Sequence, residues 1–131
     1  MIEWFWNEKT GGHNIFKKDF YVKVEHSARE VGSGDLNVLS IPSLIAFMEF
    51  TAKEAVHDRL TDHETTVGIE MNMKHKKATA SGKTVTIIAK WIEQKKTILV
   101  YEVVAYEDEV LIGEGQHIRV IVDRDQCMNQ F

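Results

Sequence analysis

The chain has little of what cross-links or punctuates a fold. Of its 131 residues one is cysteine (Cys127) and one is proline (Pro42). A single cysteine excludes an intrachain disulfide, which suits a reducing compartment. Cys127 lies in a polar tail, Asp123-Arg124-Asp125-Gln126-Cys127-Met128-Asn129-Gln130, where nothing would activate its thiol. Long apolar runs are also missing: none approaches the roughly 20 residues that cross a bilayer. The N-terminus, Met1-Ile2-Glu3-Trp4-Phe5-Trp6-Asn7-Glu8, lacks the basic segment and apolar stretch of a secretory leader. No membrane partner is expected, and the expected location is cytoplasmic. Excess basic charge is absent as well. A net charge of −4 and a pI near 5.8 argue against a general nucleic-acid binder.

What is present is an ordinary globular composition, 44% apolar and 27% charged. The length suits one domain with a real core. We read residues 1–131 as that single domain, with a terminal arm over 1–14 broken at Gly11-Gly12 and a tail over 123–131. Trp4, Phe5 and Trp6 are expected to pack, because three exposed large aromatics are a liability.

Alternation of Phe20, Val22 and Val24 with polar residues predicts a strand over 16–25. Residues 26–37, centred on Gly32-Ser33-Gly34-Asp35, read as a loop without the pattern of a phosphate-binding motif. Leu44, Ile45, Met48, Ala52, Ala55, Val56 and Leu60 recur at helical spacing and predict a long helix over 42–60. Pro42 fits its first turn, and Ser40 is the N-cap if the helix starts at Ile41. Four strands follow, over 65–74, 84–94, 97–106 and 110–122, the last three forming an antiparallel meander. A curved antiparallel sheet around one central helix is the economical way to bury both, an α+β fold.

Glu49 shares the apolar side of the helix with Ile45, Ala52 and Val56. A carboxylate there loses solvation, so its pKa should rise unless a donor meets it. The alternative is an edge position from which Glu49 reaches water or a lysine. Ile69, Met71, Met73 and His75 alternate onto one strand face. From there His75 could reach a helix carboxylate and move protons, or it is simply a structural histidine. Gly68 interrupts the same strand, where glycine marks a bulge or a close approach of ligand to backbone. Lys74, Lys76, Lys77 and Lys83 form a basic turn that could meet phosphates or merely be solvated. His117 and Arg119 alternate with Ile118 and Val120, so one of the two sets faces outward. The other histidines have no metal-ligand spacing, and no metal is expected.

Residues 38–49, Val-Leu-Ser-Ile-Pro-Ser-Leu-Ile-Ala-Phe-Met-Glu, resemble the helix-start motif of the fluoroacetyl-CoA thioesterase-like group of hot-dog proteins. Thr66-Val67-Gly68-Ile69, Met73-Lys74-His75 and Gly113-Glu114-Gly115-Gln116-His117-Ile118-Arg119 continue the resemblance in the same order, over roughly 16–122. The 26 positions from Glu49 to His75 match the group's glutamate–histidine spacing. The resemblance implies a hot-dog fold and a homodimer, with a tetramer as the larger alternative. It also implies acyl-CoA as substrate, coenzyme A entering only as part of that substrate, with no separate cofactor. Glu49 and His75 map onto two of the three residues that the resemblance assigns to thioester hydrolysis. The third, a threonine, falls on Ile41, which has no hydroxyl; Ser40 and Ser43 are the nearest hydroxyls.

These readings give an expected site. Glu49 is the base or nucleophile, His75 its orienting or proton-donating partner, and Ser40 an auxiliary hydroxyl. Gly68, Ser43, Ile41, Lys76 and Arg119 are the expected substrate contacts. The competing expectation, motivated by Ile41, is a dimer that binds acyl-CoA or another small ligand without turning it over. Hydratase chemistry on an enoyl thioester ranks last, because the aspartate–histidine helix signature of that group is missing.

Overall fold

A computed structural model describes residues 14–131. Apart from Asn14, the expected terminal arm and its aromatic trio lie outside the described residues. Five strands form one antiparallel sheet: β1 (Ile15–Tyr21), β2 (Glu64–His75), β3 (Thr84–Lys95), β4 (Ile98–Glu107) and β5 (Val110–Asp123). Their order across the sheet is β1-β3-β4-β5-β2, so β3, β4 and β5 make the expected meander and β1 and β2 are the edges. The turns between meander strands place Lys96 (φ 57°) and Asp108 (φ 53°) in the left-handed region, at the loops expected there.

Among the described residues three α-helices accompany the sheet: α1 (Ala28–Val31), α2 (Ile41–Ala55) and α3 (Arg124–Met128). The start of α2 is as the sequence predicts. Ser40 Oγ accepts the Ser43 N–H at 3.1 Å, and Pro42 sits in the first turn. Its end is earlier than expected. The chain tightens after Ala55 into a 3-10 turn, His57–Arg59, and Leu60 packs on the core from beyond the helix.

The buried face of α2 is Leu44, Phe47, Met48, Thr51 and Ala52, against Val85, Ile87, Tyr101 and Val103 of the sheet. Thr51 is tolerated there because its hydroxyl donates back to Phe47 O at 2.7 Å. Phe47 stacks on Phe20 of β1 with centroids 4.4 Å apart. Glu49 lies on the flank of this face, not at its centre, and its side chain keeps 42% of its exposure. The desolvation expected for it is therefore only partial.

Three local expectations are corrected. The loop over 26–37 contains α1, capped by Ser27 Oγ on Glu30 N–H (3.2 Å) and closed by Gly32 at φ 92°. The tail over 123–131 contains α3, capped by the Asp123 carboxylate on the N–H groups of Asp125 and Gln126. The strand expected to run to residue 25 stops at Tyr21. Val22 is fully buried, and Val24, in a 3-10 turn, is exposed.

The feature that matters most for the site is a bulge in β2. Gly68 pairs with Arg119 and Glu70 with Ile118, leaving Ile69 without a register partner. Ile69, expected to face inward with Met71, Met73 and His75, is instead 57% exposed. Thr66 is buried before the bulge, and Met71 and Met73 pack on the core after it.

Candidate active site

Glu49 projects from the flank of α2 toward the end of the sheet where β2 pairs with β5. Its Oε2 lies 3.5 Å from Arg119 Nη1 and 3.9 Å from His117 Nε2. Of the two alternating sets on β5, His117 and Arg119 face inward: they are 1% and 6% exposed. Gly68 is the close neighbour that makes this approach possible. A Cβ there would overlap Glu49 Oε2 and stand 3.1 Å from His117 Cε1 and 3.2 Å from Arg119 Nη1.

Arg119 is held on every side. Its Nε donates to Thr66 Oγ1 at 2.8 Å, and Nη2 donates to the Thr66 carbonyl at 3.0 Å. Nη1 lies 3.1 Å from His117 Nε2 as well as facing Glu49. His117 Nδ1 is 2.7 Å from the Glu70 carbonyl. A carbonyl only accepts, so Nδ1 carries the proton, and in the neutral ring Nε2 is the acceptor for Arg119. Burial pushes the His117 pKa below the ordinary histidine value; the Glu70 carbonyl and Glu49 oppose that, and Arg119 reinforces it. Burial also lowers Arg119, against the pull of Glu49, but a guanidinium stays charged. Behind them Tyr101, fully buried, stacks on His117 with centroids 6.1 Å apart. Burial pushes its hydroxyl pKa well up, and that hydroxyl has no hydrogen-bond partner among the described residues.

His75 is elsewhere. It ends β2, seven residues beyond Gly68, a rise of roughly 20 Å along a strand. There it lines a groove of about 320 Å³ with Leu39, Ser40, Ile41, Lys76 and Lys77. Its Nε2 is buried and has no partner among the described residues. Burial lowers its pKa, and a hydrogen bond to the Lys77 backbone pulls the other way. The expected contact of Glu49 with His75 is therefore not made within one chain.

The expected site thus separates into two groups. One holds Glu49, Gly68 and Arg119, joined by Thr66 and His117, which stand in the sequence motifs but were given no role there. The other holds His75, Ser40, Ile41 and Lys76. Ser40 is 2% exposed and committed to capping α2, with Ser43 supplying the capped N–H. Ile41 is 51% exposed at the groove. Lys76 is paired with Glu114 across β2 and β5. Arg119, expected to touch substrate, spends most of its donors on Thr66 and His117. Among the described residues no group of three or more His, Cys, Asp or Glu could hold a metal, and no helix is long and apolar enough to cross a membrane.

A sheet wrapped on one long helix is the hot-dog architecture. Within that class, the chain belongs to the fluoroacetyl-CoA-specific thioesterase family, whose sequence model matches residues 22–125. The fluoroacetyl-CoA-specific thioesterase FlK superposes with a TM-score of 0.84 at 23% identity, over 88% of this chain and 90% of that one. A thioesterase-superfamily member from Thermus thermophilus gives 0.82 at 21% identity, over 89% and 87%. A hot-dog-like protein from Thermanaerovibrio acidaminovorans gives 0.81 at 16%, over 88% and 86%. At these identities the superpositions establish the fold. No curated protein matches the chain by sequence. Family and fold together support acyl-CoA thioester hydrolysis in general.

Proposed function

We propose that this protein hydrolyses an acyl-CoA thioester as a homodimer, in sites that each take Glu49 from one copy and His75 from the other. One observation carries the reading. Each group has one member on the inner side of β2, Gly68 near its middle and His75 at its end, and that strand is a sheet edge. It exposes the apolar Val67 and Ile69 (37% and 57%), a pattern that lone edge strands avoid. A two-fold axis near Asn72 would pair β2 with β2 antiparallel and set Gly68 of each copy opposite His75 of the other. Glu49 is partly open to solvent, and His75 has a ring nitrogen without a partner among the described residues; each supplies what the other lacks.

In such a site the Glu49 carboxylate takes a proton from water as the oxygen attacks the thioester carbonyl, or attacks the carbonyl itself, expelling the thiolate and leaving a mixed anhydride that water then hydrolyses. Neutral His75 accepts a hydrogen bond from the attacking water at Nε2 and orients it, and the proton taken by Glu49 passes to the leaving thiolate. The C–S bond breaks, and coenzyme A and a carboxylic acid are released. Gly68, with no side chain, leaves room for the Glu49 carboxylate directly over the strand, where the thioester carbonyl would meet it. Lys76, Lys77 and Ser43 border the route that the coenzyme would take. A form of FlK is known in complex with fluoroacetate and CoA, which supports a CoA-bearing ligand for this fold.

A screen for free-thiol release over short, branched, aromatic and long acyl-CoAs tests the reading, with sedimentation of the same sample for oligomeric state. Turnover that Glu49→Gln abolishes without loss of fold is the expected result. A monomer, or a fully active E49Q, overturns it. Ile41, which puts an apolar wall where a hydroxyl was expected, favours a second reading: binding without turnover. That reading expects acyl-CoA to raise Tm with no thiol released.

A further inference from the structure

We propose that His117 is a positioning residue whose neutral ring holds Arg119 against Glu49, so that protonating His117 releases the clamp and disables the carboxylate. The catalytic consequence rests on the thioesterase reading; the clamp itself does not. Its parts come from every element around the ring. Glu70 of β2 fixes the Nδ1–H by its carbonyl at 2.7 Å. Arg119 of β5 donates to Nε2 at 3.1 Å. Glu49 of α2 lies 3.9 Å from the same nitrogen. Tyr101 of β4 stacks on the ring and brings no charge of its own.

The logic is that of one lone pair. With Nδ1 committed to a carbonyl, the only place for a second proton is Nε2. That proton would turn the acceptor of Arg119 into a donor facing a guanidinium. The resulting repulsion acts at a shorter distance than the attraction to Glu49, and Arg119 loses one of its acceptors. Because Arg119 and His117 are both nearly inaccessible, solvent cannot replace the lost bond. Thr66 still grips the guanidinium by Nε and Nη2, so the repulsion falls on Nη1, the nitrogen that meets Glu49, which has lost its acceptor and must pull against that grip.

Two measurements on the intact protein test this. The first needs no substrate: NMR of the histidine ring nitrogens and of the Arg119 guanidinium through a pH titration. The expected result is an Nδ1–H neutral tautomer at His117, and Arg119 N–H signals that lose exchange protection as His117 protonates. In His117→Gln, whose side-chain oxygen can stand in for Nε2 but does not titrate, protection persists to lower pH. An Nε2–H tautomer, or Arg119 protection indifferent to His117 protonation, overturns the proposal.

The second reads hydrolysis across pH for wild type, H117Q and His117→Leu. H117L is expected to lose kcat by roughly 10–100-fold, as removal of outer-shell partners does at other active centres, with KM little changed. H117Q is expected to restore most of kcat and to move the acid limb to lower pH. An H117L enzyme with wild-type kcat and an unmoved acid limb overturns the proposal. Absence of thiol release from the wild-type protein sinks the thioesterase reading alone, and the NMR result then decides the clamp.

Discussion

Gly68 and Glu49 compete for one volume: any side chain on the strand residue would occupy the place of Oε2 on the helix residue. The colliding atom is the far end of a flexible side chain, so Gly68→Ala can be accommodated by swinging Glu49 aside. The expected outcome is a loss of thiol release of about tenfold or more, the scale of a misplaced catalytic group. Stability should stay within about 1 kcal/mol, because no backbone has to move. Urea denaturation beside steady-state kinetics checks both. An active G68A would show that the carboxylate is not needed where the structure puts it.

Shared sites make a prediction that a self-contained site does not. Glu49→Gln and His75→Ala should each be inactive alone. In a mixed dimer one site collects both substitutions and the other collects none. Random reassociation of equal amounts should recover about a quarter of the wild-type rate, since half the dimers are mixed and each carries one intact site. Recovery near zero from verified mixed dimers would place both residues in one chain's own site.

Acid should destabilise the protein before the carboxylates titrate. Burial holds His75 and His117 below the ordinary histidine value, so the unfolded chain takes up those protons first as pH falls. Stability is complete above about pH 6.5 and is lost as pH falls below it toward the folded values. Tm should therefore be lower at pH 5.5 than at pH 7.5, and H117Q should narrow the gap. A wild-type Tm that is flat or rises on acidification contradicts this.

Ser40 should behave as a cap. Its hydroxyl is the partner of the Ser43 N–H, so Ser40→Ala is expected to cost about 1 kcal/mol of stability. Turnover at a temperature where both proteins are folded should be little changed. A loss of kcat well beyond the loss of folded protein would return Ser40 to the chemistry.

Much of the fold was legible because its signals are periodic and local. The run from Leu44 to Val56 could only be an amphipathic helix, and Ser40 with Pro42 marked its start. The four later strands announced themselves by alternation between turns. What was missed is short or non-periodic. Four residues of α1 cannot show a helical period, although Ser27 and Gly32 were the right cap residues. The bulge at Ile69 breaks the very alternation from which strand faces are read, and so Ile69 was assigned inward. The sequence named Glu49, Gly68 and Arg119 as site residues, and the structure brings the three together. Thr66 and His117, the neighbours of Arg119, come from strand pairing between β2 and β5, which a single sequence does not encode locally. The inward turn of His117 was one of two equal options until burial chose it.

The bulge also has an arithmetic consequence. Gly68 and His75 are separated by an odd number of positions, so in a regular strand they would point to opposite sides of the sheet. One extra residue, Ile69, restores their parity and lets a single strand carry complementary halves of a site on the same side. Repeated by a two-fold axis, that parity gives two whole sites; without it, every copy would carry one half turned to the core and the other to the outside. In the proposed shared site, the length of β2 matters as much as any one side chain in it.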